Sequence, residues 1–359
     1  MRLFYHNTWN KKSKPSPLSR NNHNNIYKQT SFLHLMTDLR YQRGYNAVVQ
    51  SVALFRGAVA LSEGVHTEQV IPTCGATGAL DAIFRATALE HFKAGKKPTA
   101  VLGYPEYFDA QRQLASSGYI IHFVDGPTAG PYQTNVVRRN IHERKPCIFY
   151  VSVPHNPTGF LLPREELDAL IDACREETRI IIDKTLIHPE EYLTAQEIEQ
   201  RHPGKDIVIV SSFSKRSGLV KERVGYLAAT RRETVAEIPL YTHSPSCNSI
   251  EAAMIELKSK KYRDATITAI EKNNRKMQEW SASHQDAVAY HPSRTNFGML
   301  ELKRMNASTC RILLEEEGVL TLCGNALLLK EDRFLRIALD EPSESITELT
   351  ESLDHILAA

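Results

Sequence analysis

The chain has 359 residues, 42% of them hydrophobic and 24% charged, which excludes a peptide scaffold or a disordered tract and suits one large folded domain with a smaller one. Its 44 Lys and Arg against 42 Asp and Glu leave a net charge of +2, so neither a nucleic-acid-binding nor an anionic-membrane field is expected. A small-molecule partner fits better.

Residues 1–30 (MRLFYHNTWNKKSKPSPLSRNNHNNIYKQT) are rich in Asn, Lys, Ser and Pro without periodicity, and are expected to form an extended arm with a solvated KKSK. Residues 31–235 are expected to form a large domain and 236–359 a smaller one. Between about 68 and 230, short β-branched runs alternate with amphipathic stretches, the pattern of repeated βα units around a mostly parallel sheet with helices on both faces. The expected strands are 69–74, 99–102, 119–124, 147–153, 179–183, 207–212 and 225–229. Expected helices cover 78–92, 108–117 and 163–177; the last begins at Pro163 with Glu165 and Glu166 in its first turn. After about 235 the pattern becomes a long helical region, 249–283, then two short strands, 297–302 and 333–338, with helices between and after. That is a smaller α+β domain.

The six cysteines (74, 147, 174, 247, 310, 323) are scattered with no CxxC pair and no zinc spacing, as expected of a reduced cytoplasmic protein without a metal site. Apolar runs fall far short of the ~20 residues that cross a membrane, and the N-terminus lacks the apolar segment of a secretory signal.

Four strand ends carry unusual residues. Thr73-Cys74-Gly75-Ala76-Thr77-Gly78 runs a strand into small residues and then a helix, which aims backbone N–H groups at an anion. Pro154-His155-Asn156-Pro157-Thr158-Gly159 closes an apolar strand with a turn. Ile180-Ile181-Ile182-Asp183 ends in a carboxylate the sheet would bury, which requires a cationic partner. Ser211-Ser212-Phe213-Ser214-Lys215 ends in hydroxyls and a lysine, with Arg223 eight residues on. Each has a plain alternative: a packing turn, a tight loop, a structural ion pair, a solvated lysine. Together they supply what pyridoxal 5′-phosphate (PLP) requires of a protein.

In that order and spacing, GATGAL, HNPTG, IIID, SSFSK with R-x-G-Y, and FLRIAL resemble the fold-type I PLP-dependent enzymes, specifically the class I/II aminotransferases such as the aspartate and histidinol-phosphate enzymes; the resemblance spans about residues 41–340. It implies that Lys215 is the Schiff-base lysine and the base for the α-proton, that Asp183 pairs with the pyridine nitrogen, and that Asn156 donates to the phenolic O3′ and lies beside the substrate. It implies that Tyr107 stacks on the ring and shares in the catalytic set. Gly75, Ala76, Thr77, Ser212 and Arg223 would hold the phosphate. Tyr41, with Tyr45 close by, would reach the phosphate of a neighbouring subunit in a homodimer, and Arg336 would grip the substrate carboxylate with a two-pronged pair. Asn296-Phe297 fits the preceding small-domain strand.

The sequence departs from the family three residues after the aspartate. Asp183-Lys184-Thr185-Leu186 puts Leu186 where many relatives have a tyrosine that also bonds O3′, leaving Asn156, with Lys184 or Thr185 as substitutes. The expected activity is an aminotransferase acting on an amino acid and a 2-oxo acid. Leu186 motivates an alternative, PLP-dependent elimination or cyclisation (lyase or cyclase) of a side-chain-substituted amino acid, arginine-derived ones included, in specialised metabolism. A non-catalytic regulator of the same fold is disfavoured, because every catalytic position is filled.

Overall fold

The segments Ile148–Ser152, Arg179–Asp183 and Asp206–Ser212 are apolar at consecutive positions, which only a strand covered on both faces can use. In the computed structural model, which describes residues 45–125, 132–186, 193–236, 238, 242–259 and 261–358, they lie at the centre of a seven-stranded sheet. Its strands are β1 (Val70–Thr73), β2 (Thr99–Tyr104), β3 (Ile120–Asp125), β4 (Ile148–Ser152), β5 (Arg179–Asp183), β6 (Asp206–Ser212) and β7 (Gly225–Ala229), in the order β1-β7-β6-β5-β4-β2-β3. Strands β3, β2, β4, β5 and β6 are parallel neighbours, and β7 runs antiparallel between β6 and β1. All seven expected strands are present, two of them with the expected ends and the others with ends shifted by at most two residues.

Side chains of alternating parity feed two cores. Phe149, Val151, Ile180, Ile182, Ile207 and Ile209 face the helices Tyr45–Glu63, Thr134–Arg144, Arg164–Ala173 and Cys247–Lys258. Ile148, Tyr150, Ile181, Val208 and Val210 face Gly75–Lys93 and Phe108–Ser116. The helix expected over 163–177 is shorter: Pro163 is its N-cap, and it ends at Ala173 before Cys174 turns extended. Ser246 caps Cys247–Lys258 by accepting from Ser249 N.

The expected single helical region over 249–283 is two helices, Cys247–Lys258 and Lys261–Ala282, separated where Ser259 leaves helical geometry (φ −116°, ψ 111°). The second sheet has four strands, not two: β8 (Val288–His291), β9 (Phe297–Leu302), β10 (Leu322–Cys323) and β11 (Phe334–Ala338), in the antiparallel order β10-β11-β9-β8. The two missed strands are edges. One is two residues long and the other half-exposed, so neither carries a strong apolar signal. Leu300, Leu302, Leu335 and Ile337 pack under Lys261–Ala282, Ala307–Glu316 and Ser343–Ala358, whereas Met299 and Phe334 of the opposite face pack toward Phe108 of the large-sheet layer. The expected arm (1–30) and Tyr41 lie outside the described residues. No helix among the described residues is long and apolar enough to cross a membrane.

Candidate active site

Strands β1, β2, β4, β5 and β6 all end at one edge of the large sheet, and antiparallel β7 begins there, so the topology gathers Gly75, Tyr107, Asn156, Asp183, Ser212, Lys215 and Arg223. At the start of β7, Gly225 is paired with both Thr73 of β1 and Ser212 of β6. A side chain there would collide: a Cβ would sit 2.6 Å from Ser211 O and 2.8 Å from the Gly75 carbonyl carbon. Glycine at 225 therefore lets the helix start come down onto the strand ends. Gly75 itself has φ +73°, and its own Cβ would lie 2.8 Å from Arg223 Nη2. Arg223 is held by Nη1 donating to Ser214 Oγ (3.3 Å) and Val220 O (3.4 Å). Behind Gly75, Thr73 Oγ1 donates to Gly75 O (2.9 Å), and Cys74 at the N-cap gives no side-chain cap, so the first N–H groups of Gly75–Lys93 remain for an anion.

That geometry makes a first expected result. Gly75→Ala forces a non-glycine residue into the left-handed region and against a guanidinium, and lowers stability by roughly 1–3 kcal/mol. Inorganic phosphate or PLP binding, followed by titration, should weaken in parallel. Parent-like binding in Gly75→Ala would remove Gly75 and Arg223 from the anion site.

Asp183, at the end of β5, is buried; its Oδ2 accepts from Tyr150 Oη (3.0 Å) and its Oδ1 from Thr185 N (2.9 Å). Burial raises its pKa against these bonds. Next along, Lys184 points to the other side of the strand: Nζ donates to both Glu63 carboxylate oxygens (3.0 Å each) and Leu193 O, while Tyr226 Oη donates to Glu63 (2.7 Å). The expectation of Lys184 as a substitute donor to O3′ is therefore corrected, because strand alternation sends it into a buried ion pair. The Thr185 hydroxyl lies at the Asp183 carboxyl and opposes the upward shift of its pKa, and Leu186 is buried. Among these three, only Thr185 keeps a polar group near Asp183.

Asn156 follows β4. Its backbone N–H donates to Ser152 Oγ (2.8 Å), and its side-chain Oδ1 is buried with no partner among the described residues. Tyr107 is the N-cap of Phe108–Ser116, with Oη donating to Asp109 Oδ2 (3.0 Å).

Lys215 lies in the short helix Phe213–Arg216 that follows β6. Burial pushes its pKa down to about 8; the Asp340 and Glu341 carboxylates oppose the shift, and the Arg336 and Arg223 guanidinium groups reinforce it. Arg336 comes from the second sheet. Because Leu335 and Ile337 face the helices, alternation turns Arg336 the other way, toward the large sheet. Its Cζ lies 4.0 Å from the Phe297 ring centroid, and Lys215 Nζ lies 5.4 Å from the same ring. Burial lowers the Arg336 pKa to about 10, with Tyr107 and Asp340 acting in the opposite sense. Phe297, a floor shared by the two cations, was legible in the sequence only as a strand residue.

Sequence reasoning also passed over Glu106. It is fully buried and accepts from Tyr107 N (2.8 Å), Ser152 N (3.2 Å) and the Ser152 hydroxyl. Its only signal was a carboxylate in an otherwise apolar turn. Among the described residues, no cluster of His, Cys, Asp and Glu is arranged to hold a metal.

Residues 38–353 match the family model of aminotransferase class I and II. Over 218 residues the chain is 27% identical to a histidinol-phosphate aminotransferase of Listeria welshimeri (59% of this chain, 58% of that protein). Over 211 residues it is 25% identical to an aspartate aminotransferase of Thermotoga maritima (57% and 54%). The chain thus spans less than two thirds of these relatives' length. The fold matches the histidinol-phosphate aminotransferase from Clostridium acetobutylicum with a TM-score of 0.78 at 15% identity, covering 91% of this chain and 94% of that one. It also matches the L-threonine-O-3-phosphate decarboxylase from Porphyromonas gingivalis with a TM-score of 0.65 at 22% identity, covering 86% and 89%.

Proposed function

Because the chain belongs to the aminotransferase class I and II family, we propose that it is a PLP-dependent aminotransferase that passes the α-amino group of an amino acid to a 2-oxo acid. The observation that carries the proposal is the convergence of Lys215, Asp183, Asn156 and the Gly75–Arg223 cradle at one sheet edge, with Arg336 facing them from the second sheet.

The residues fit the cofactor. The Gly75 cradle leaves no room for a Cβ beside Arg223, which suits a phosphate held between N–H groups and a guanidinium. Among the described residues, the groups that bond the buried Asp183 carboxyl are all neutral, so a protonated ring nitrogen would supply a cationic partner. The side-chain amide of Asn156 has a buried unpaired end, and a half-turn of the amide offers either a donor or an acceptor to O3′. PLP, when bound, supplies an aldehyde that captures an amino group and a ring that accepts the electrons of the breaking Cα–H bond.

The chain's own residues do the rest. Gly75, Ala76, Thr77, Ser212 and Arg223 would hold the phosphate, and Tyr107 would flank the ring. Arg336, fixed over Phe297, pairs with the substrate carboxylate and thereby orients the α-carbon. Lys215 Nζ, with a pKa near 8, exchanges its proton close to neutral pH and carries the α-proton. Its burial keeps water from competing.

Family and relatives favour transfer over elimination or cyclisation, and no contact among the described residues favours the latter. The six cysteines are free, which supports a cytoplasmic site of action. Exposed Leu54 and Leu61, two turns apart on one side of helix Tyr45–Glu63, support a homodimer through that side. Sedimentation would test it.

A screen of amino donors against the PLP-loaded protein tests the activity. At least one amino acid should bleach the visible band of the cofactor, and a 2-oxo acid should restore it, with one amino acid product per acceptor consumed. Repeated turnover without an acceptor, giving a cyclised, cleaved or dehydrated product, would defeat the aminotransferase reading and leave the cofactor site standing.

A further inference from the structure

Glu106 stands between Pro105 and Tyr107 in the turn after β2, and Ser152 is the last residue of β4. Neither belongs to the cofactor set above, yet they join two members of it. Glu106 Oε1 accepts from Tyr107 N at 2.8 Å, Oε2 accepts from Ser152 N at 3.2 Å, and the Ser152 hydroxyl donates to Oε1. The same hydroxyl oxygen then accepts from Asn156 N at 2.8 Å. A chain of bonds thus runs from the Asn156 backbone through Ser152 to Glu106 and on to the backbone of Tyr107.

We propose that Glu106 is a positioning residue for the cofactor: through Ser152 it sets the backbone of Asn156 and directly it sets that of Tyr107, so the two side chains flanking the ring share one buried anchor. The proposal rests on the PLP reading above.

Chemistry favours a positioning role over mere packing. A carboxyl with no exposure is costly in a turn that an apolar residue would fill, and it is kept here with both oxygens engaged. Tyr107 N and Ser152 N can only donate, so both oxygens must accept. Glutamine, although the same size, would turn an NH2 toward one of those donors. The neighbouring titratable groups do not replace the anchor. His155 Nε2 lies 3.9 Å from Glu106, but its nitrogens are bonded to Pro105 O and Thr158 Oγ1, and burial lowers its pKa to about 4, leaving it neutral. Asp183, Tyr132 and Tyr150 also face the Glu106 environment, and each is itself buried. Burial pushes Glu106 up to about 8, with the bonds from Ser152 and Tyr107 pulling the other way.

Glu106→Gln and Ser152→Ala test the proposal in the PLP-loaded protein, read by PLP affinity and by the pH midpoint of the visible band. The midpoint reports the surroundings of O3′, which a purely structural role would not move. Both variants should weaken PLP binding roughly tenfold and shift the midpoint in the direction produced by Asn156→Ala. In an Asn156→Ala background, Ser152→Ala should add less than about twofold, since its arm of the relay then has nothing to orient, whereas Glu106→Gln should keep the part of its effect that acts through Tyr107. Lower thermal stability with parent affinity and parent midpoint, or full additivity of Ser152→Ala on Asn156→Ala, would overturn it. Should Glu106→Gln fail to fold, Ser152→Ala decides, because it cuts the relay and leaves the carboxyl in place. A Lys215→Ala protein that keeps the parent visible band would instead sink the PLP reading itself, so the two failures are distinguishable.

Discussion

Lys215→Ala removes the visible band of the PLP-loaded protein and lowers turnover by at least about 10³-fold, the loss expected when the group that both bonds the cofactor and moves the proton is deleted. The fold survives. Lys215 lies in a four-residue helix, and burial with the Arg336 and Arg223 guanidinium groups disfavours its charge by more than the Asp340 and Glu341 carboxylates favour it, so the native state gives up little when the side chain goes. The thermal midpoint of the cofactor-free variant should therefore match or slightly exceed that of the parent. Spectra, turnover and thermal melts of the one variant check all three statements. Parent-like absorbance with parent-like turnover would withdraw Lys215, and with it the order of roles at the sheet edge.

Arg336→Ala weakens binding of the amino acid carboxylate by ~2–5 kcal/mol, or roughly 30-fold to several thousand-fold, because it leaves a desolvated anion without its partner. Arg336→Lys should recover little of this. A lysine offers one point charge in place of a planar fork and loses the stacking of the guanidinium on Phe297 at 4.0 Å. The readout is KM for the amino donor together with the inhibition constant of a carboxylate analogue; PLP affinity should stay near the parent value, since the phosphate cradle lies on the other sheet. Unchanged substrate constants in Arg336→Ala would move the carboxylate site elsewhere.

Much of the architecture was legible in the sequence because its signals are local. Ile180-Ile181-Ile182 is apolar without alternation, and only a strand covered on both faces can use that. The strand ends were legible for the same reason: an aspartate, a lysine or a glycine-rich turn placed after such a run must sit at the sheet edge, whatever surrounds it. The two-residue strand Leu322–Cys323 and the break at Ser259 were not legible, since so short a pairing and a single departure from helical geometry leave no period to read.

What local sequence determined is therefore the kind of fold, the edge where chemistry is placed and the residue types offered there. Tertiary structure alone decided which of them meet. Strand alternation turned Lys184 away from Asp183 into the ion pair with Glu63, and turned Arg336 away from the helices toward Lys215. Register brought Gly225 against Gly75, so that Arg223 could reach the helix start. Burial, a property no single segment possesses, lowered Lys215 and raised Glu106. These effects depend on the distance and dielectric between groups far apart in the chain, such as Glu106 and Ser152 or Lys215 and Arg336, and only the packed molecule brings those groups within reach of one another.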